Sequence, residues 1–521
     1  MNTKRLLVAS LLFAILLSAC APSAAPTQIA QYAPTSAPRP TQAPPLVTYP
    51  TAPAPTQAPY ATPAPTAPAD MFFENYGVNP FVDTYEDHLS TFALDVDTAS
   101  YSLARSYVMD GNLPPAEAIR VEEFVNYFKQ DYPIPPDVAF GIYADGAPSP
   151  FQHDGTQILR FGIQGYSVPE WERQSASLTF VIDISGSMGI ENRLELVKQS
   201  LQLLVDRLRP NDSVAIVVYG SEARVVLNPT SGEDRATILN AIYSLQTEGA
   251  TNAEAGLRLG YQMANLAYRP NAINRVILCS DGVANVGATS PDAILESIRG
   301  YAAGGITLTT VGFGMGNFND TLMEQLADNG NGNYAYVDNL DEAQRLFVDN
   351  LTSTLQVIAL DAKVQVDFNR DTVARYRLIG YENRAVADQD FRNDAVDAGE
   401  IGAGHTVTAL YAVQLRPGGQ GRIATVQLRW EDPDTHQVTE INGNFNTWDM
   451  ARSFDSASPR YQLAVTVAQY AELLRHSPWA QGTTFSQLLN HAARLSELLP
   501  GDPDVVEFAS LTSRASQISG N

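Results

Sequence analysis

Val181-Ile-Asp-Ile-Ser-Gly-Ser187 runs out of an apolar segment, 178–182, into one carboxylate and two hydroxyls at alternate positions: Asp183, Ser185 and Ser187. A helix-periodic pattern opens shortly afterwards, at Arg193. Strand, polar loop and helix in that order set hard oxygen atoms at the carboxyl end of a strand, where open α/β sheets keep their ligands. Hard oxygens of low total charge on a tight loop suit a small divalent cation such as Mg2+.

Outward from this loop, residues 177–356 alternate strand and helix. Apolar runs at 178–182, 213–219, 275–279, 306–311 and 334–337 read as strands. Helical patterns cover 193–208, 234–245, 253–267, 291–303, 318–327 and 341–355. Repeated βα units give a parallel sheet with helices on both faces. The short run 223–227 reads as an antiparallel edge strand. The expected fold class is therefore α/β, a doubly wound, mostly parallel, Rossmann-like sheet over 176–355.

The flanks differ in texture. Residues 71–165 read as a small α/β module, with a strand at 92–97 and helices at 98–109 and 119–128. In that module, Asp95, Asp97 and Ser100 read as caps of the following helix, since Asp and Thr before an apolar-periodic run do this routinely. Residues 356–450 hold alternating runs and Gly-rich breaks, a β-rich module. Residues 451–521 hold three amphipathic helices, at 460–475, 485–498 and 504–518.

Two further loops carry oxygen ligands. Thr251 lies in Glu248-Gly-Ala-Thr-Asn252, ahead of the helix near Ala253, and Asp281 follows the strand 275–279. In a doubly wound sheet these loops converge on one crevice. Asp183, Ser185, Ser187, Thr251 and Asp281 together resemble the metal-ion-dependent adhesion site of von Willebrand factor type A domains, whose pattern is Asp-x-Ser-x-Ser, then Thr, then Asp. The flanking stretches Asn79-Pro-Phe81, Arg120-Val-Glu-Glu-Phe-Val-Asn-Tyr-Phe128 and Asp397-Ala-Gly-Glu-Ile-Gly-Ala-Gly-His405 resemble a bacterial lipoprotein subfamily of such proteins.

The resemblance implies that Ser185 and Ser187 hold Mg2+ directly (Mn2+ or Ca2+ as substitutes). It implies that Thr251 is a switchable ligand and that Asp183 and Asp281 act largely through water. It further implies binding rather than catalysis. Neutral hydroxyls leave the ion electron-poor, so an Asp or Glu carboxylate of a partner protein completes its octahedron.

An enzyme is the weaker expectation. A serine nucleophile elbow needs glycines two before and two after the serine. Ser187 has Gly189 but is preceded by Ser185, and Ser185 has neither. No histidine lies between His153 and His405, so the βα region offers no Ser–His pair. No Gly-rich phosphate loop with Lys is present. A chelatase-type subunit shares the domain but is not exported. A scaffolding lipoprotein with an idle metal site remains the rival of the binding class.

The N-terminus reads as an export signal. Lys4 and Arg5 precede an apolar run at 6–17, shorter than the roughly 20 residues of a spanning helix. The run ends Leu17-Ser-Ala-Cys20, which resembles a lipobox and implies lipidation of Cys20. Residues 21–70, rich in Pro, Ala and Thr, read as an extended linker. The expected location is extracytoplasmic, lipid-anchored to the cell membrane or the outer membrane. The chain carries 57 acidic against 33 basic residues, a balance that repels nucleic acid. The other cysteine, Cys279, reads as a small buried hydrophobe.

Overall fold

The computed structural model describes residues 27–28, 71–282, 291–314 and 318–520. The apolar leader, Cys20 and all of the 21–70 linker except Thr27 and Gln28 lie outside them. Among the described residues no helix is long and apolar enough to cross a membrane.

In chain order, the first flank contributes β1 (Thr27–Gln28), β2 (Met71–Phe72), β3 (Val82–Asp83), β4 (Leu89–Ala93), α1 (Ala99–Met109), α2 (Val121–Tyr127), β5 (Phe140–Pro148) and β6 (Gln157–Gly165). The central region holds β7 (Ala176–Asp183), α3 (Arg193–Val205), β8 (Ser213–Tyr219), β9 (Ala223–Ser231), α4 (Arg235–Tyr243), α5 (Ala253–Leu266) and β10 (Ile273–Ser280). It continues through α6 (Pro291–Ala303), β11 (Thr307–Phe313), β12 (Phe318–Asn319), α7 (Asp320–Asp328), β13 (Tyr334–Val337), α8 (Leu340–Gln344) and α9 (Leu351–Leu355). The second flank contributes β14 (Val357–Phe368), β15 (Val373–Ile379), β16 (Gly399–Gly402), β17 (Thr406–Leu415), β18 (Arg422–Glu431) and β19 (Val438–Asn446). It ends in α10 (Pro459–Leu474), α11 (Phe485–Leu498) and α12 (Pro503–Ser519).

The central sheet has the order β13-β11-β10-β7-β8-β9. All neighbours are parallel except the edge pair β8–β9. This is the α/β fold expected from the sequence, antiparallel edge included. Side chains alternate across the sheet as strand geometry demands. Phe180 and Ile182 face a core shared with Val197 and Leu201 of α3 and Phe347 and Leu351 near the domain's end. Val181 faces the other core, with Leu257 and Tyr261 of α5 and Leu326 of α7. Cys279 is fully buried in the first of these cores and is a free cysteine among the described residues.

The stretch read as one helix over 341–355 is broken. A π turn, Arg345–Asp349, separates α8 from α9, and the Asn350 N–H bonds the Arg345 carbonyl five residues back at 2.9 Å. The reason lies in the spacing of the apolar residues. Ala343, Phe347, Leu351 and Leu355 recur every four residues and all reach the core. A strict four-residue repeat drifts round a 3.6-residue helix, and one wider turn absorbs the drift.

The flanks, read from the sequence as three modules, share their sheets. A six-stranded sheet has the order β1-β5-β6-β17-β15-β3, joining both ends of the chain. β1 falls within the stretch read as linker and pairs Thr27 with Ala144. β16-β14-β18-β19 form the second sheet, with β4 also paired to β14. The two sheets bury Phe161, Ile163, Val366 and Leu428 between them. Helices α1, α2 and α10 to α12 cover the outer face of the first sheet with a separate core. The α/β domain is thus inserted between β6 and β14, and Gln174 N–H donates to Gln356 Oε1 at 3.1 Å where the chain enters and leaves it.

Asp95 and Asp97 do not cap α1. Its N-cap, Thr98, makes no side-chain cap bond. Instead Asp97 Oδ1 accepts the Tyr334 N–H at 3.0 Å, and Asp95 Oδ2 lies 2.9 Å from Arg384 Nε. Ser100 Oγ donates to the Ala118 carbonyl at 2.6 Å. The predicted strand over 92–97 stops at Ala93, where residues 94–97 turn toward these partners.

Candidate metal centre

β7 delivers Asp183 to the carboxyl edge of the sheet, wedged between β8 and β10, with no exposed surface. The chain then turns back on its own carboxylate. Asp183 Oδ1 accepts the Ser185 N–H at 2.8 Å, and Asp183 Oδ2 accepts the Ser280 hydroxyl at 3.1 Å. Ser280 Oγ in turn accepts the Gly282 N–H at 3.1 Å. The loop after β7 and the loop after β10 are thereby locked together.

The alternate spacing puts Ser185 Oγ and Ser187 Oγ 3.0 Å apart on one side of the loop. Ser185 is buried and Ser187 is half-buried, so the pair opens toward solvent at Ser187. The third loop is tied to the first by backbone bonds. Glu248 N–H donates to the Ile184 carbonyl at 2.6 Å and Gly186 N–H to the Gly249 carbonyl at 3.2 Å. Gly249 has φ +69°, and a Cβ there would sit 2.3 Å from Ser221 Oγ. Only glycine fits this close approach of the third loop to Ser221 in the β8–β9 turn.

Asn252 accepts the Ala255 N–H at 3.1 Å and starts α5, which leaves Thr251 half-buried at the end of the loop. Among the described residues the Thr251 hydroxyl has no hydrogen-bond partner. Residues 283–290, next along the chain from Asp281 and Gly282, lie outside the described residues.

Asp281 is fully buried. Its Oδ2 lies 3.0 Å from Arg193 Nη1, while its Oδ1 is buried with no partner among the described residues. The Asp183 carboxyl is pushed up to about 6, chiefly by burial and further by Asp281, against the downward pull of its bonds from Ser185 and Ser280. Asp281 meets the Arg193 guanidinium through Oδ2, and its Oδ1 faces no donor among the described residues. Such a surplus of oxygen acceptors is what a hard cation satisfies.

Among the described residues no three His, Cys, Asp or Glu side chains gather as a metal cluster. The oxygen set here depends on hydroxyls, which such a cluster does not count. The residues present fit a small divalent cation. With such an ion, Asp183 and Asp281 would carry the charge, and Ser185, Ser187 and Thr251 would offer neutral oxygens.

Arg193 was not singled out from the sequence. At the first position of a helix it reads as a solvated side chain, yet it is buried against Gly314, whose φ is +78°. Nothing local to Arg193 signals this, because its partner and its wall come from loops 88 and 121 residues away.

The chain is similar to several known proteins. Residues 177–349 match the von Willebrand factor type A domain family, residues 67–160 a family described as von Willebrand factor, and residues 353–420 and 416–517 the family "Uncharacterized protein YfbK, C-terminal". The chain is 35% identical over 443 residues to the protein YfbK of Escherichia coli, covering 80% of this chain and 76% of YfbK. It is 27% identical over 293 residues to the protein sll0103 of Synechocystis, covering 54% of this chain and 68% of that protein. Among solved structures, a von Willebrand factor type A protein from Catenulispora acidiphila superposes with a TM-score of 0.41 at 16% identity, covering 73% of this chain and 90% of that one. The chain belongs to the YfbK family, von Willebrand factor type A domain proteins that carry a YfbK-type C-terminal domain.

Proposed function

We propose that this chain is an exported, lipid-anchored protein, attached through Cys20, that binds an acidic side chain of a partner protein through a divalent cation. Asp183, Ser185, Ser187, Thr251 and Asp281 would hold that cation. The observation that carries the reading is the buried Asp281 Oδ1, without a partner among the described residues, on a loop bonded through Ser280 and Asp183 to the paired serines. A divalent cation bound there supplies a point charge and a coordination position open to solvent. The protein's part is to keep the serine hydroxyls paired, to hold Asp183 dry and to leave Ser187 and Thr251 at the opening.

The reading is one of adhesion rather than catalysis. The two serines hydrogen-bond each other, and the sequence from 177 to 349 contains no histidine to activate either.

The test has two arms. Calorimetric titration with Mg2+ and Mn2+ should show saturable uptake by the parent protein, weakened at least about tenfold when Ser185 and Ser187 are both alanine, the cost expected for two lost oxygen ligands. Cross-linking in the native envelope should recover an acidic partner with divalent cation present and lose it in chelator. Uptake unchanged in the double alanine variant, or equal partner recovery in chelator, refutes the reading. The second result would favour scaffolding.

A further inference from the structure

Arginines Arg105, Arg120, Arg160, Arg173, Arg193, Arg377 and Arg475 are all buried, and each has a carboxylate oxygen within 3.4 Å. Arg275 is as deeply buried, only 1% exposed, and differs from all of them. Its Nε donates to Thr307 Oγ1 at 3.0 Å, and its Nη1 donates to Thr309 Oγ1 at 3.2 Å and to the Thr354 carbonyl. Those partners are neutral. Among the described residues no carboxylate oxygen lies within 4.0 Å of the guanidinium, and its Nη2 bonds to no protein atom.

Glu400 acts on Arg275 through space without forming an ion pair, and burial holds the Glu400 carboxyl well above its ordinary range. Arginine does not escape burial by losing its proton at neutral pH. A buried charge without a direct ion-pair partner is costly, and proteins pair such groups.

Arg275 lines a cavity of about 470 Å3 at the amino-terminal edge of the central sheet, where the α/β domain meets the flanking sandwich. That volume falls in the range of small-molecule sites, roughly 300–1,000 Å3. One part of the wall is aliphatic, with Ala302, Leu355, Val357 and Ile358, and the rest is polar. Gln356 Oε1 is occupied by the Gln174 N–H, and the Gln356 amide nitrogen makes no bond to the protein among the described residues. The β18–β19 turn adds Asp432, Asp434 and His436, the last 2.5 Å from Glu431, and Tyr166, Tyr268, Asn274 and Asn331 add further polar groups.

We propose that this cavity binds a small organic monocarboxylate, with the carboxylate on Arg275 and a hydrocarbon body against the aliphatic wall. A single negative charge matches the single unpaired guanidinium. Asp432 and Asp434 disfavour a multiply charged anion such as phosphate. The aliphatic wall favours a ligand with a hydrocarbon body over a bare inorganic ion. The site lies at the opposite end of the strands from the candidate metal centre and does not depend on it.

Hexanoate is the probe, with hexan-1-ol and inorganic phosphate as controls, titrated into the full chain by calorimetry and by ligand-observed saturation-transfer NMR. Hexanoate should bind saturably. Hexan-1-ol should bind at least about tenfold more weakly, the scale of a charge-assisted hydrogen bond. Phosphate should neither bind nor compete. Arg275→Gln should lose hexanoate binding. Because that change also disturbs the Thr307, Thr309 and Thr354 contacts, Ala272→Phe serves as a second variant, filling the mouth of the cavity while leaving the arginine in place, with circular dichroism to check its fold. It should lose binding as well. No saturable hexanoate binding, equal binding of hexan-1-ol, competition by phosphate, or parental affinity in either folded variant overturns the proposal.

Discussion

Arg384 is the sharpest point at which to perturb the join between the inserted domain and its flanks. Its Nε lies 2.9 Å from Asp95 Oδ2, its Nη2 3.1 Å from Glu324 Oε1 and its Nη1 2.9 Å from Asp328 Oδ2. One guanidinium from the second flank thus holds a carboxylate of the first flank and two of the α/β domain. Asp328 is 40% exposed at its side chain and keeps water contact, so it adds little. Asp95 and Glu324 are 3% and 5% exposed, and they set the cost. Arg384→Met keeps most of the volume, removes the guanidinium from Asp95, and leaves Glu324 with Arg120 at 3.7 Å. Breaking a buried pair from one side costs about 3–5 kcal/mol.

The pH dependence gives the loss a signature. Burial already raises the Asp97 and Glu324 carboxyls above their ordinary range, and Arg384 opposes that rise. Without the guanidinium they rise further. A carboxyl whose folded pKa exceeds its unfolded value favours the fold when protonated and loses that contribution as pH rises through the folded value. The deficit of Arg384→Met should therefore be full at pH 8 and shrink at pH 5.5. Urea unfolding of parent and variant, followed by tryptophan fluorescence at both pH values, measures it. A deficit below about 1 kcal/mol at pH 8, where a buried pair predicts several, refutes this reasoning. So does a deficit that grows on acidification.

Three further outcomes follow from the same geometry. Asp183→Asn should abolish Mg2+ uptake yet leave the cation-free protein at least as stable as the parent above pH 6, because the parent's buried carboxylate there faces Asp281; thermal melts in chelator and calorimetry with Mg2+ check the two halves. Gly249→Ala should cost about 1–2 kcal/mol, since φ is +69° and Ser221 Oγ occupies the place of the new Cβ, and should weaken cation uptake by displacing the Thr251 loop; denaturation and titration of one sample test both. His405, held down to about 4 by burial and then by Arg275, is neutral in the fold, so its contribution is present above the unfolded value of about 6.5 and is lost as pH falls toward 4. His405→Gln, which retains an acceptor for the Gly402 N–H, should flatten the fall of the urea midpoint between pH 6.5 and 4, and an unchanged slope would count against this assignment.

The sequence made the central domain legible because each of its signals is local. The apolar run before Asp183 is bounded by a polar loop and followed by a helical period, and the structure keeps all three. The serine pair is legible for the same reason, since its spacing alone places both hydroxyls on one side of the loop. Asp95 and Asp97 were misread because a carboxylate ahead of a helix looks the same whether it caps that helix or waits for Arg384, 289 residues away in the case of Asp95. The pairing of β6 with β17 was hidden likewise. Alternation marks a strand but not its partner, and Gln164 meets Thr406 only after the whole α/β domain has intervened. Arg193 and Arg275 carry no local sign of burial at all, for arginine in sequence reads as surface until the partner loops are placed.

The insertion also sorts the two candidate sites by what can reach them. The chain enters the α/β domain just before β7 and leaves it just before β14, and Gln174 meets Gln356 at that joint. A parallel sheet sends the carboxyl ends of β7 and β10 away from the joint, so the sandwich lies at the other end of the strands from Asp183, Ser187 and Asp281. The first flank still reaches the end that holds these residues, where β2 pairs with β12 and the Asn319 N–H of β12 donates to the Gly282 carbonyl at 3.1 Å, beside Asp281. The cavity beside Arg275 lies at the joint itself, walled by the inserted domain on one side and by β14 and the β18–β19 turn on the other. Its walls come from both units, and the Arg275 side chain on its lining is 1% exposed. One topology thus sets the proposed cation site and the proposed anion site at opposite ends of the same strands.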